Sequence, residues 1–355
     1  MYLPGTIVLI WTRYEQMNNE HLIQLCVDFD LGTPIQIDTN REGVSNTSHN
    51  LTTDKGKFFV KMVREKKKKY IHYIAEAEAF MRSRDIPAVG MLATKRGETF
   101  VTYDANMYTM YPFIESIRTH RYDFDEFQEM GKMLGRIHRA GSSNVPATLR
   151  EHLFSEKPTA RVTAELHSYR SLIAAKSHPD EPDELFRTYI DLKLKMLDET
   201  LQINPLPLDT LTHGDYHARN LLMDSNHAIV GICDWEQAAM NARSYELARA
   251  ILYTCYAGEG EEEPHRYDNT TAEGFAQAFL SGYASVYPIL ATELAHGIKL
   301  RWKRLIQSFW IEEQYYTNGD TRSYKFIPHE IRLIQDFAEP EIIERICQYA
   351  RVAEA

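Results

Sequence analysis

Residues 213 to 234 read H-G-D-Y-H-A-R-N-L-L-M-D-S-N-H-A-I-V-G-I-C-D, with Asp215 ahead of Asn220 and a second carboxylate, Asp234, closing the stretch. That order of groups suits the transfer of a phosphoryl group from a metal-bound nucleotide. The reaction requires a positioned nucleophile and neutralisation of charge on phosphate oxygens held by Mg²⁺. An Asp on a loop can orient and deprotonate an attacking hydroxyl, and an Asn carbonyl with a further carboxylate supplies hard oxygen ligands to the metal. Asp215, Asn220 and Asp234 fit those roles in that order.

The elements that must position these residues are also legible. Leu221 to Met223 and Ala228 to Cys233 are apolar runs separated by Asp224, Ser225, Asn226 and His227, which predicts a hairpin bringing Asn220 and Asp234 to the same end. Surface-turn chemistry explains residues 224 to 227 but not a His-Gly-Asp immediately before the strand pair. A zinc pair of His213 and His217 is a poorer reading, because Gly214 disfavours a helix there and no third ligand stands out.

The pattern H-G-D-x-x-x-x-N followed by I-x-D-W-E resembles the aminoglycoside phosphotransferase and choline kinase superfamily, which includes type II homoserine kinases. The resemblance implies an α+β, bilobal protein-kinase-like fold, with a small β-rich N-lobe over residues 1–112 and a larger, mainly helical C-lobe over 113–355. His213-Gly214-Asp215 stands where protein kinases carry His-Arg-Asp, and Asp234-Trp235-Glu236 where they carry Asp-Phe-Gly. ATP and Mg²⁺ are the implied cofactors, with Asp215 catalytic and Asn220 and Asp234 holding the metal.

An N-lobe of this kind needs a strand lysine, a helix glutamate and a loop over the nucleotide. Lys57 to Val63 reads as a strand after the turn Asp54-Lys55-Gly56, and Lys61 lies in its middle among apolar neighbours, where an ammonium requires a partner. Lys66 to Ser83 has helical periodicity and carries Glu76 and Glu78; Glu76 is preferred as the partner of Lys61 because it falls four residues before Phe80, with Glu78 the alternative. Between Ile35-Gln36-Ile37 and the next strand lies the segment Arg41 to Thr47, whose Gly43, Ser45 and Asn46 are expected to present backbone N–H groups to phosphate. Met107 to Phe113 is expected to form the last strand and connector, with Met110, Tyr111 and Phe113 meeting the adenine; Pro112 has no N–H, so the donor comes from a neighbour.

The carboxy-terminal part reads as helical. Asp123 and Glu126 predict a capping box, followed by Phe127, Met130, Leu134 and Ile137 at helical spacing, with His138 read as a structural histidine. His178 to Pro182 reads as a loop, and Leu294, Ile298, Trp302, Leu305, Phe309 and Trp310 form a stripe that reports burial.

Composition agrees with a water-soluble enzyme: 355 residues, 44% hydrophobic and 25% charged, with a formal net charge of -10 that argues against a nucleic-acid partner. The run Lys66 to Lys69 reads as a solvated helix face, and Glu259 to Glu263 as a solvated loop. No apolar run reaches the roughly 18 residues that span a membrane. Tyr2 to Trp11 lacks the basic start and cleavage site of a signal peptide, and Met17 is an alternative start, since the resemblance begins near Leu22. Four scattered cysteines with no C-x-x-C pair read as reduced thiols in the cytoplasm. Because Trp235 and Glu236 replace Phe-Gly and no activation segment with a phosphosite follows, a small-molecule hydroxyl acceptor is favoured over a protein. The residues leave the acceptor open among homoserine, choline, ethanolamine, an aminoglycoside or another alcohol. A non-catalytic binding protein of the same fold is the alternative from another class. Retention of Lys61, Asp215, Asn220 and Asp234 together argues against it.

Overall fold

The computed structural model describes residues 19–40, 47–64, 68–104, 106–117, 122–256 and 269–352. Contacts divide the chain into two units, one running to Ser116 and taking in Val230–Cys233, the other comprising Ile117–Ile229 and Asp234 onward.

The first unit is built on a five-stranded antiparallel sheet, β1 (Pro34–Asn40), β2 (Thr47–Thr53), β3 (Gly56–Arg64), β4 (Phe100–Tyr103) and β5 (Asn106–Pro112), in the order β1-β2-β3-β5-β4. Helices α1 (Asn19–Asp28) and α2 (Lys68–Arg82) accompany it. The turn expected at Asp54 closes β2 onto β3, with Thr53 opposite Gly56. Alternation along the central strand sends Val60 and Met62 into a core with Leu22, Leu25, Leu51, Tyr108 and Met110, all buried. Lys61 therefore sits on the opposite face of β3, in register with Ser48 on β2 and Thr109 on β5. Helix α2 buries Ile71, Ile74, Ala77, Glu78, Phe80 and Met81; Ala79, expected on the same stripe, is exposed.

The second unit is mostly helical: α3 (Phe124–Gly141), α4 (Ala147–Arg150), α5 (Thr159–Ala174), α6 (Glu181–Met196), α7 (Arg243–Ala250), α8 (Asn269–Val286), α9 (Ala291–Gln307), α10 (Trp310–Glu312), α11 (Ile327–Asp336) and α12 (Pro340–Val352). Short strands β6 (Thr210–Thr212), β7 (Leu221–Met223) and β9 (Ala239–Asn241) punctuate it, whereas β8 (Ile229–Ile232) falls in the first unit from Val230 onward. The capping box at Asp123 forms: its side chain accepts the Glu126 N–H at 2.9 Å, and Glu126 accepts the Asp123 N–H at 2.7 Å. Helices α3 and α8 approach closely because glycine lines the seam. A Cβ at Gly131 would lie 1.9 Å from the Phe279 carbonyl oxygen, and one at Gly282 would lie 2.0 Å from that of Gln128. His178 to Asp180 is the expected loop, but Glu181 and Pro182 belong to the first turn of α6, capped by Asp180. Of the late stripe, Leu294, Ile298, Trp302, Leu305 and Phe309 are buried, whereas Trp310 is 37% exposed. Among the described residues no helix is long and apolar enough to cross a membrane, and none of the four cysteines is in a disulfide.

Candidate active site

The loop after β6 is held rigidly from beneath. Gly214 takes φ +82°, and a Cβ there would fall 2.0 Å from the Gln237 carbonyl oxygen, so both conformation and space select glycine. The His213 N–H donates to Glu246 Oε2 at 3.0 Å, and the Gly214 N–H donates to Glu246 Oε1. Glu246 is a wholly buried carboxylate on α7; it also bonds His138 Nε2 at 2.8 Å, and His138 Nδ1 meets the Tyr283 hydroxyl at 2.9 Å. Burial by itself would raise the pKa of Glu246. The His138 bond, followed by the charges of His138 and His213, outweighs it and holds the group below the usual carboxylate range. His138 is thus structural, as its place on α3 predicts. The His213 ring, also buried, lies 4.5 Å from that of Trp235, and its Nδ1 accepts the Asp215 N–H at 3.2 Å.

Asp215 is 17% exposed and held by three side chains. Arg249 donates from Nη2 to Oδ1, Gln237 donates to Oδ2 at 3.1 Å, and His217 Nε2 lies 3.6 Å from Oδ1. Burial raises its pKa, but Arg249 and then His217 outweigh that effect and bring it to about 2. Asp215 is therefore ionised throughout the neutral range. Asn220 is buried, and its amide donates to the Asp215 carbonyl at 2.8 Å and contacts His217 Nε2 at 3.3 Å, which fixes the direction of its Oδ1.

Asp234 follows β8. The Ile232 N–H donates to the Pro87 carbonyl at 2.8 Å, and the Ile232 carbonyl accepts the Val89 N–H at 2.9 Å, both within the first unit. Asp234 itself adopts φ 64°, ψ 53°, a left-handed conformation that a non-glycine residue rarely takes and that concentrates at functional sites. It opens the 3₁₀ turn Trp235–Gln237, whose last residue reaches Asp215. The turn expected at 224 to 227 forms: Asp224 Oδ1 accepts the N–H groups of Asn226 and Ala228, and His227 takes φ 60°. Asn220 and Asp234 offer an amide oxygen and a carboxylate, a hard-oxygen pair that fits Mg²⁺, which keeps waters and phosphate oxygens in its remaining positions. Among the described residues no cluster of three His, Cys, Asp or Glu side chains forms a separate metal centre.

In the first unit, Lys61 is half-buried on β3. Glu78 is only 1% exposed; its carboxylate accepts the Met91 N–H at 3.0 Å and a bond from the Tyr111 side chain, and it feels the charge of Lys61. Burial dominates these lowering influences and pushes Glu78 up to about 8. Glu76, preferred from the sequence, is half-buried on the same helix, and its charge acts on Tyr73. A carboxyl raised from 4.5 to about 8 stabilises the fold below its unfolded value and withdraws that contribution as pH rises toward 8. Thermal melts should therefore show Glu78→Gln gaining on the parent between pH 5 and pH 8. A pH-independent difference would mean that the carboxyl ionises freely in the fold.

Among the residues expected at the adenine, Met110 is a core side chain with no exposure, and its carbonyl accepts the Leu92 N–H at 2.7 Å. Tyr111 contributes its side chain to Glu78, and the Phe113 N–H donates to the Lys57 carbonyl at 3.3 Å. Gly43, Ser45 and Asn46 lie outside the described residues, as does Glu259 to Glu263. The sequence reading missed Glu246, Arg249 and Gln237. Its available signal was two opposite charges, Glu246 and Arg249, inside the otherwise apolar run Tyr245 to Leu252.

The five-stranded antiparallel sheet of the first unit and the mostly helical second unit make a kinase-like α+β fold, in which the Asp215 loop is tied to a buried acid and Asn220 is bonded to the Asp215 carbonyl. The model of the Phosphotransferase enzyme family matches residues 36–289, and the chain belongs to that family. It is 24% identical over 296 residues to the homoserine kinase of Phenylobacterium zucineum, covering 81% of this chain and 84% of that one. Among solved structures, it resembles spectinomycin phosphotransferase in complex with ADP and spectinomycin, with TM-score 0.64 and 16% identity over 96% of this chain and 99% of that one. It resembles an amicoumacin kinase in complex with AMP-PNP, Ca²⁺ and Ami equally well, with TM-score 0.64 and 16% identity over 93% and 94% of the two chains. The protein is accordingly a small-molecule kinase, transferring a phosphoryl group to a hydroxyl acceptor.

Proposed function

We propose that this protein is an ATP- and Mg²⁺-dependent kinase acting in the cytoplasm on the hydroxyl of a small, amine-bearing metabolite or antibiotic. The observation that carries the reading is Asp215, ionised and held between Arg249 and Gln237, with Asn220 bonded to its carbonyl. Asp215 orients the acceptor hydroxyl and takes its proton as the acceptor oxygen bonds to the γ-phosphorus. The bond from that phosphorus to the β-bridging oxygen breaks, and ADP leaves with the electron pair.

Asn220 and Asp234 are the residues that would hold Mg²⁺, which when bound supplies neutralisation of phosphate charge. Lys61 serves the α- and β-phosphates, steadied by a glutamate of α2. Glu76, half-buried, and Glu78, buried and within reach of the Lys61 charge, both lie on that helix, and of the two it is Glu78 whose carboxyl burial holds neutral, which favours Glu76 for that part. Gly43, Ser45 and Asn46 would cover the phosphates, and the backbone near Met110, Tyr111 and Phe113 would meet the adenine.

The test is ADP release with Mg²⁺ present or withheld, across amino alcohols, hydroxy amino acids and aminoglycosides. Acceptor-stimulated, Mg²⁺-dependent release is the expected result. Release that is indifferent to both acceptor and metal would overturn the reading.

A further inference from the structure

Glu246 ties the backbone of the catalytic loop to α7, yet that contact leaves open where the Asp215 carboxylate points. Arg249, three residues along the same helix, decides it by donating from Nη2 to Oδ1, since Gln237, the donor to Oδ2, is itself exposed. Helix α7 runs directly into a π-helical turn, Ile251–Tyr256, a distortion that recurs at functional sites. Tyr253 lies on that turn, four residues after Arg249, and the Arg249 guanidinium sits 5.2 Å from the centre of its ring, within cation–π range.

The ring is held from its hydroxyl end. Arg301, on α9 and 6% exposed, donates from Nη2 to the Tyr253 hydroxyl at 2.6 Å, and the hydroxyl donates its own proton to Glu330 Oε1, on α11, at 2.7 Å. Both bonds have a charged partner, so turning the ring breaks two strong contacts at once. Glu330 is steadied by the Tyr189 hydroxyl, from α6, 3.4 Å from Oε2. Charge is apportioned along the same chain of contacts. Burial and the Arg301 charge weigh against a charged Arg249, and Asp215 leads the groups that outweigh them. Glu330 gives Arg301 an anion on the shared tyrosine, so that Asp215 is left to Arg249.

We propose that Tyr253 is a positioning residue for the phosphoryl transfer: held by Arg301 and Glu330, it fixes Arg249, and through Arg249 the direction in which Asp215 presents its carboxylate to the acceptor hydroxyl. The inference rests on the kinase reading above and adds to it a residue that acts through another. One helix then serves the loop twice, with Glu246 holding its backbone and Arg249, backed by Tyr253, holding its reactive side chain. Three further helices, α6, α9 and α11, contribute to that support through Tyr189, Arg301 and Glu330.

ADP release from MgATP is followed in the full-length protein with the best acceptor of the panel above and with water alone, because Asp215 must orient either. Tyr253→Leu should lower kcat by about ten- to a hundredfold, the order of loss that ~1 Å of misplacement causes, with KM for MgATP unchanged. Tyr253→Phe keeps the ring but loses both hydroxyl bonds, and should fall between Tyr253→Leu and the parent; it carries the same comparison should Tyr253→Leu not fold. Made on top of Arg249→Gln, the Tyr253 change should cost little or nothing further, because the group it acts through is gone. Asp215→Asn is the second such background if far-UV circular dichroism shows Arg249→Gln unfolded. An equal loss of kcat in the parent and in these backgrounds makes Tyr253 a merely structural residue and overturns the proposal, as does an unchanged kcat in folded Tyr253→Leu. A parent that releases ADP with neither acceptor nor water overturns the kinase reading and the proposal with it.

Discussion

Replacing Asp215 by Asn lowers acceptor-dependent ADP release by about 10²- to 10⁴-fold, the usual worth of a positioned general base. The amide is nearly isosteric, so Gln237 and Asn220 keep their places, but the neutral group no longer draws a proton from the acceptor. It also leaves the Arg249 guanidinium without its carboxylate. Since Asp215 is already ionised far below neutrality, the parent's activity should not fall with pH through protonation of this residue until pH approaches about 2, well outside the range in which the fold is assayed. Steady-state kinetics on the purified variant, with nucleotide affinity measured separately, provides the check. Unchanged kcat would remove Asp215 from the chemistry.

The second large effect is on stability. Glu246→Ala removes the common acceptor of two loop N–H groups and the partner of a histidine with no exposure. Each buried donor left without its acceptor costs about 1–3 kcal/mol, and together they are a large part of the ~5–15 kcal/mol that holds a typical fold. The loop that carries Asp215 loses its anchor at the same time, so turnover should fall beyond what residual unfolding explains. Glu246→Gln retains one acceptor oxygen and should lose less. Urea unfolding followed by tryptophan fluorescence measures the difference, with Trp235, buried against His213, reporting on the loop itself. A Glu246→Ala transition within about 1 kcal/mol of the parent would show that water replaces the lost partner, because that is the net worth of a single ordinary hydrogen bond.

The central strand, its lysine and the loop residues were legible because each carries a local signature: alternation around Lys61, a turn at Asp54, a capping box at Asp123 and the short spacing from Asp215 to Asn220. Which of Glu76 and Glu78 is the more deeply buried was not. The two are close enough along α2 for periodicity to tolerate either inward, and only packing against Met91 and Tyr111 buries Glu78. Glu246 and Arg249 escaped notice for a related reason: a charge within an apolar helix run has no meaning until the groups that satisfy it are known.

By itself, the sequence determined the chemistry of this protein. The residue types from His213 to Asp234 and the strand around Lys61 specify a family, a fold and a phosphotransferase, since backbone conformation and reactive groups are encoded over a few residues. The tertiary structure decided what surrounds that chemistry. Arg301 and Glu330 lie far along the chain from Arg249 and Tyr253, and only folding gathers the four beneath Asp215. Buried charges are stable only where distant elements supply their partners, and such partnerships leave no trace in local periodicity.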